Sequence, residues 1–412
     1  MAIHLHRTRF LLMRLLRTLL ARRASFDSAF SSLVRKYSIG KAEARELYKL
    51  FYKVVIYYHS IKFVSAYSGF KPHLSGIVEY IYTKRFDMNR VLEDIVELSK
   101  SVSTATRIAL LYGYPLWYVR DLYNKLPLSE LESMLSSLNE RKRWLRVNIA
   151  KTNIEGAIEC LEKSGLRVKQ HETFKEMLLV EDKYAKVGGN ICVRKGLVVP
   201  QDISSYISAS ALRHVRGDIV DACSAPGVKL VQVLTEATTN RALAVDVSEK
   251  RVNVLFNLVR WFLGNRPNVI IIHGDSKVLE YNLRGAIALV DAPCSNSGAI
   301  YSDPAIKLHL SKRALKRFHA VQKALLKNSL KSMSRVFFMT CSVHPLEGEE
   351  LIDYLVKSYD GKVHLSQITL PYPYLDKGYP GYTCSSRVYR IYPHKVNGQG
   401  VFMAVIEVNG FE

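Results

Sequence analysis

The stretch Ile219-Val220-Asp221-Ala222-Cys223-Ser224-Ala225-Pro226-Gly227-Val228-Lys229 decides the fold. A short apolar run ends in an acid, and a turn holding proline and glycine follows, the way a buried strand hands the chain to a helix. The glycine lets a ligand approach the backbone. The turn is neither the GxGxxG of dinucleotide enzymes nor a P-loop, which needs GxxxxGK followed by Ser or Thr. Four more apolar runs follow at intervals long enough for a helix or turn: Leu243 to Val245, Val269 to His273, Ile287 to Val290 and Val336 to Met339. Five runs spaced this way predict an α/β fold with a doubly wound, mostly parallel sheet.

In such a sheet, ligands bind outside the carboxyl ends of the strands, so the residue after each run is the one to inspect. The first run ends in Asp221, and the second in Asp246, near the spacing at which an acid captures ribose hydroxyls. The third leads into Gly274-Asp275, the fourth into Asp291-Ala292-Pro293-Cys294-Ser295, and the fifth into Thr340-Cys341-Ser342. One acid after a strand is commonly a cap or turn former. Four in register point to a site. Two cysteines at the mouths of consecutive strands can share a cleft, but buried small hydrophobes, a disulfide or half of a metal site also fit. Their polar neighbours, Asp291 and Ser295 for one and Thr340 and Ser342 for the other, favour a reactive setting.

Toward the N-terminus the first 110 residues hold one proline, Pro72, and three glycines, which predicts an all-helical region. Leu47, Leu50, Phe51, Val54, Val55 and Tyr58 form one apolar helical face. Residues 1–60 carry twelve Lys and Arg against three acids, so the opposite faces are cationic and suited to RNA. From about residue 140, Trp144 to Asn148 reads as a strand and Asn153 to Gly165 as a helix, a small α/β unit. The expected domains are 1–135, 136–205 and 206–412.

The whole chain has 412 residues, with 48% hydrophobic and 23% charged, which excludes a disordered, collagenous or disulfide-stapled protein. Lys and Arg number 59 against 37 acids, a net charge of +22 that points to polyanionic partners. Phe10 to Leu20 is the most apolar-looking segment, but Arg14 and Arg17 interrupt it, so no membrane span is expected. The Arg-rich start, with Asp27 as first acid, reads either as an organelle transit peptide or as an amphipathic first helix. Six scattered cysteines, with no CxxC and no His cluster, predict a reducing, cytoplasmic compartment and no metal.

DACSAPGVK at 221–229, VDAPCSNSG at 290–298 and TCSVHPLEGEE at 340–350 together resemble the Sun/RsmB-type RNA cytosine-5 methyltransferases. Weaker echoes are YPLWYVRDL at 114–122, LRVN at 145–148, QDISS at 201–205 and YPHKVNGQGVF at 392–402. The resemblance implies a Rossmann-type methyltransferase domain, an RRM-like linker and a NusB-like RNA-binding domain, with S-adenosylmethionine as cofactor and structured RNA as substrate. Ribosomal RNA is favoured over transfer RNA, and a monomer is expected. Two departures stand in the first loop: Val228 replaces a second glycine and Leu230 a threonine. A β-branched residue is poorly tolerated at positive φ, so Val228 tests that loop. Glu347-Gly348-Glu349 replaces the family's ENE.

By the same resemblance Cys341 is the nucleophile and Cys294 assists release; the chemistry then needs Asp291 to bind the cytosine edge and Lys229 to supply positive charge. Cys223, Ser224, Ala225, Pro226, Gly227, Val228 and Lys229 would line the methionine end of the cofactor. Asp246 would take its ribose, Asp275 its adenine, and Arg251 and Asp291 would lie beside it. Lys307, Lys312, Arg313, Lys316 and Arg317 are expected to contact the RNA backbone, whereas Trp117 and Tyr118 are expected in the core. Two rival readings are a non-catalytic RNA-binding assembly factor that kept the fold, and a DNA cytosine methyltransferase.

Overall fold

The computed structural model describes residues 4–21, 24–264, 268–283, 285–368 and 374–409. The chain divides into two compact units, one of residues 1–140 with 299–314, the other of residues 141–298 with 315–412.

The first unit is helical, from Leu5–Ala21 through Leu128–Ser137. Its first helix buries Leu11, Leu12, Leu15, Leu16 and Leu19 and exposes Arg7, Arg9, Arg14 and Arg17, as the amphipathic reading expects. The apolar face read from Leu47 to Tyr58 is split. Helix Lys41–Ile56 ends at Tyr57, and Tyr58 opens the next helix. Tyr118 is fully buried and Trp117 half-buried.

Segment 299–314 lies in the sequence of the second unit but packs inside the first, which overturns one expectation. Lys307 is not an RNA contact, because its side chain is completely buried. Its Nζ donates to the carbonyls of Ile56 at 3.1 Å and Tyr112 at 2.7 Å and to Asn139 Oδ1 at 2.6 Å, while burial holds its pKa well below the ordinary value. It also sits 3.8 Å from the centre of the Tyr114 ring. Arg313, Lys316 and Arg317 remain exposed.

The second unit contains two sheets. The smaller is antiparallel, ordered β2-β3-β1-β4, with β1 Trp144–Val147, β2 Val168–Gln170, β3 Met177–Val180 and β4 Val198–Pro200. Helix Ile154–Lys163 starts where Asn153 accepts the Gly156 N–H, a side-chain cap that satisfies a backbone donor. Here Cys160 and Cys192 form a disulfide across 32 residues, which runs against the reducing compartment expected from the cysteine pattern. That spacing carries no motif, so only the folded chain brings the two sulfurs together.

The larger sheet contains β5 Arg216–Asp221, β6 Thr238–Asp246, β7 Val269–His273, β8 Ala286–Asp291 and β9 Met333–Thr340. These are the five apolar runs. They pair in parallel in the order β7-β6-β5-β8-β9, the 3-2-1-4-5 order of a doubly wound fold. Strands covered on both faces read as continuous apolar runs, and Val220, Ala288, Leu289 and Val290 are fully buried. Four strands of the C-terminal region were not foreseen: β10 Val363–Ser366, β11 Asp376–Lys377, β12 Tyr389–Ile391 and β13 Val401–Val408. Of these, β13 enters the sheet antiparallel to β9, pairing Phe402 with Thr340.

Candidate active site

The topological switch falls between β5 and β8, whose carboxyl ends carry Asp221 and Asp291. After β5 the chain turns through Cys223 to Gly227 into helix Val228–Glu236. The left-handed conformation falls on Gly227, at φ 101°, and Val228 is the first helical residue. Val228 therefore fits without backbone strain. A Cβ at Gly227 would clash only with the tip of the Leu255 side chain, at 2.5 Å, so it is the positive φ that calls for glycine here. Leu230 is fully buried and packs with Ala225, Leu234, Ala242 and Leu255, which makes the threonine-to-leucine departure a core contact.

A cavity of about 200 Å³ opens beside this turn. Asp221, the Cys223–Lys229 loop and Asp291 line it, and so does a second group, Gln201, Asp202, Ser205 and Gln399. The second group was visible only as two weak motif echoes. Asp202 joins them, because its carboxylate accepts from Ser204 N at 2.9 Å and Gln399 N at 3.0 Å. Burial raises the Asp202 pKa to about 6 against these bonds, and raises that of Asp221 to about 7.

Asp246 and Asp275 hold local turns. Asp246 accepts from Ala225 N at 3.2 Å and Ser248 N at 3.0 Å, tying the β6 end to the first loop. Arg251 braces the same junction: it pairs with Asp246 at 3.5 Å and donates to the Ala225 carbonyl. Asp275 accepts from Lys277 N at 3.0 Å.

Across the switch point, Lys229 Nζ donates to Asp291 Oδ2 at 2.5 Å. Burial works against the Lys229 charge, but attraction first to Asp291 and then to Cys341 and Asp221 outweighs it, and the pKa lies above its ordinary value. The ammonium thus couples electrostatically to Cys341. The sulfurs of Cys294 and Cys341 are 3.1 Å apart. A shared partner lies beside both, since Asn296 Oδ1 is 2.8 Å from Cys341 Sγ and 3.6 Å from Cys294 Sγ. Asn296 takes φ 58°, a left-handed position that asparagine tolerates. The Cys294 thiol is held well above its ordinary pKa, first by its hydrogen bond with Cys341 and then by burial.

Sequence reasoning missed the residues that brace these loops. Gly298 N donates to the Cys341 carbonyl at 3.0 Å, and Gly400 N donates to Gly298 O at 2.9 Å. A Cβ on Gly298 would lie 2.0 Å from Gly400 O, so only glycine permits this approach. Arg390 and Glu349, both fully buried, pair at 2.6 and 2.7 Å, and Arg390 also reaches the Ser342 carbonyl at 3.3 Å. The signal available was the acid pair following TCS; its arginine partner lies 41 residues on.

A 3-2-1-4-5 parallel sheet with a glycine-bearing loop and carboxylates at its switch point defines a Rossmann-type domain of the methyltransferase class. The chain belongs to the RsmB/F methyltransferase family. Residues 210–407 match the model for 16S rRNA methyltransferase RsmB/F, and residues 114–186 match the ferredoxin-like domain of RsmF/B-like methyltransferases. It is 31% identical over 326 residues to the human 28S rRNA (cytosine(4447)-C(5))-methyltransferase, covering 72% of this chain and 38% of that one. It is 30% identical over 257 residues to ribosomal RNA small subunit methyltransferase B of Citrobacter koseri, covering 60% and 59%. The chain thus spans less than two thirds of these relatives. Among solved structures, PH0851 superposes over 99% of both chains with a TM-score of 0.77 at 20% identity. A methyltransferase homolog from Pyrococcus horikoshii covers 74% of this chain and all of its own, with a TM-score of 0.59 at 24% identity. At these identities the likeness shows the fold alone. No helix among the described residues is long and apolar enough to cross a membrane, and none of their side chains cluster as a metal site would require.

Proposed function

We propose that this chain transfers a methyl group from S-adenosylmethionine to carbon 5 of a cytosine in structured RNA, through a covalent bond between Cys341 and carbon 6. The observation that carries the reading is the pair of free thiols 3.1 Å apart beside the Lys229–Asp291 ion pair. The names of the relatives favour ribosomal RNA, with transfer RNA next.

The residues fit the cofactor: the loop turns on a glycine at positive φ, and its residues line a cavity together with the carboxylates of Asp202, Asp221 and Asp291. Cys223 to Lys229 would hold the methionine end, Asp246 the ribose and Asp275 the adenine, with Arg251 steadying the loop rather than touching the ligand. Bound there, S-adenosylmethionine supplies an electrophilic methyl group.

Carbon 5 of cytosine is a weak nucleophile until a thiolate adds at carbon 6. A free cysteine is only about 3% thiolate at pH 7, so a neighbouring cation matters. Lys229 provides it. Cys294, held as the thiol 3.1 Å away, is placed to donate to the Cys341 sulfur once that sulfur has given up its proton for attack. Asp291, ionised against the Lys229 ammonium, hydrogen-bonds the cytosine edge and favours protonation of N3 as carbon 6 is attacked, the proton being the one the Cys341 thiol gives up. After transfer a base takes the proton on carbon 5, its electron pair restores the ring double bond as the C6–S bond breaks, and the Cys294 thiol, 3.1 Å away, assists by protonating the departing Cys341 sulfur. The base must be single-stranded or flipped out. Arg313, Lys316 and Arg317 offer backbone contacts that offset the unstacking cost. The reading places the protein in the cytoplasm, as a monomer.

RNA bearing 5-fluorocytosine, incubated with the protein and S-adenosylmethionine, should yield a denaturation-resistant complex. Cys341→Ala should abolish it, whereas Cys294→Ala should accumulate an adduct on ordinary RNA. A non-catalytic scaffold would form no complex in any arm. Competition between RNA and DNA substrates tests the choice of nucleic acid.

A further inference from the structure

Glu347 and Gln322 carry no chemistry of their own in this reaction, yet between them they touch the residues on both sides of each cysteine. The Glu347 side chain is fully buried and accepts from Ser295 N at 2.8 Å and the Ser295 hydroxyl at 2.5 Å. Gln322 Nε2 donates to the same carboxylate at 3.2 Å and to the Pro293 carbonyl at 3.0 Å. The residues before and after Cys294 are therefore both held. On the other loop, the Thr340 hydroxyl donates to the Glu347 carbonyl at 3.0 Å, and the Ser342 hydroxyl bonds the Glu347 carboxylate. These flank Cys341.

A carboxylate this deeply buried is costly unless several donors compensate it, and an apolar residue would pack as well. Its contacts instead join, through buried groups, two loops whose cysteines stand 47 residues apart along the chain. We propose that Glu347, braced by Gln322, is the positioning residue that fixes the separation and mutual orientation of the Cys294 and Cys341 thiols. The inference rests on the proposed function in taking those thiols as the reacting groups. A displacement of about 1 Å in such a pair costs roughly 10²-fold in rate.

The test uses the full chain and two readouts. The first is capture of a monosubstituted trivalent arsenical, which needs two adjacent thiols, measured without RNA or cofactor. The second is the single-turnover rate of adduct formation on 5-fluorocytosine RNA. Wild type should capture one equivalent of the arsenical, and Cys294→Ala or Cys341→Ala should lose it. Glu347→Gln, Gln322→Leu and Ser295→Ala should capture it more slowly. Their adduct rates should fall roughly 10²-fold with KM for RNA unchanged. The Glu347→Gln, Gln322→Leu double variant should be no worse than its more severe parent, because the two act as a unit. Folded variants that capture at the wild-type rate, with adduct rates within about twofold, would overturn the proposal. Should the first two variants fail to fold, Ser295→Ala, which removes a single hydroxyl, decides. A wild type that captures the arsenical but never forms an RNA adduct refutes the functional reading, and capture rates then judge the bridge separately.

Discussion

Asp221 ends the central strand β5 with its side chain buried, and burial is the main reason that its pKa rises from the ordinary 3.8 to about 7. The nearby Asp291 adds to the shift, while Ser224, the Cys223 N–H and Lys229 oppose it. Since the folded value exceeds the unfolded one, the native state keeps a proton that the unfolded chain releases. The resulting stability is complete below pH 3.8 and is lost as pH rises through about 7. The span of about 3 pH units, at 1.36 kcal/mol each, sets the loss at about 4 kcal/mol. Asp221→Asn keeps an acceptor for the Cys223 N–H but does not titrate. Thermal unfolding without cofactor should show the variant close to wild type at pH 4 and roughly 10 °C more stable at pH 8. If both proteins lose stability in parallel between those values, burial of Asp221 does not govern its protonation, and the electrostatic account of the switch point is wrong.

Lys307→Met leaves the carbonyls of Ile56 and Tyr112 and the Asn139 amide without their hydrogen-bond donor and should cost about 3 kcal/mol in chemical denaturation, against less than about 0.5 for Lys316→Met. Equal small effects would mean that segment 299–314 is not integral to the helical unit. Alkylation of the unfolded, unreduced protein should modify four cysteines and spare Cys160 and Cys192; six modified residues would refute the disulfide. Where the bridge is present, reduction should cost about 3–4 kcal/mol for the loop it closes, read as a lower midpoint in denaturant. Gly298→Ala should abolish RNA adduct formation while S-adenosylmethionine binding persists, because the clash with Gly400 O displaces the Cys294 loop and not the Cys223–Lys229 loop. A variant with normal adduct rates would show that the close approach of Gly298 to Gly400 is dispensable.

By itself the sequence determined the parallel half of the larger sheet and the residues at its strand ends. Strands buried on both faces must be short and apolar, and the polar residues that interrupt them are confined to their ends, so period and punctuation sufficed to place Asp221, Asp246, Asp291, Cys294 and Cys341 on one rim. Other features were illegible for a common reason: each depends on atoms far apart along the chain. Lys307 looked like one more cation in a basic segment, and only the folded helical unit surrounds it with carbonyls. Cys160 and Cys192 carried no spacing signal. Strand β13 arrives from the C-terminus to pair with β9, and with it come Gly400 against Gly298 and, from β12, Arg390 against Glu349. Tertiary structure alone decided how far apart the two thiols stand, because that distance is set by buried hydrogen bonds between loops, and such bonds leave no periodicity for a sequence to show.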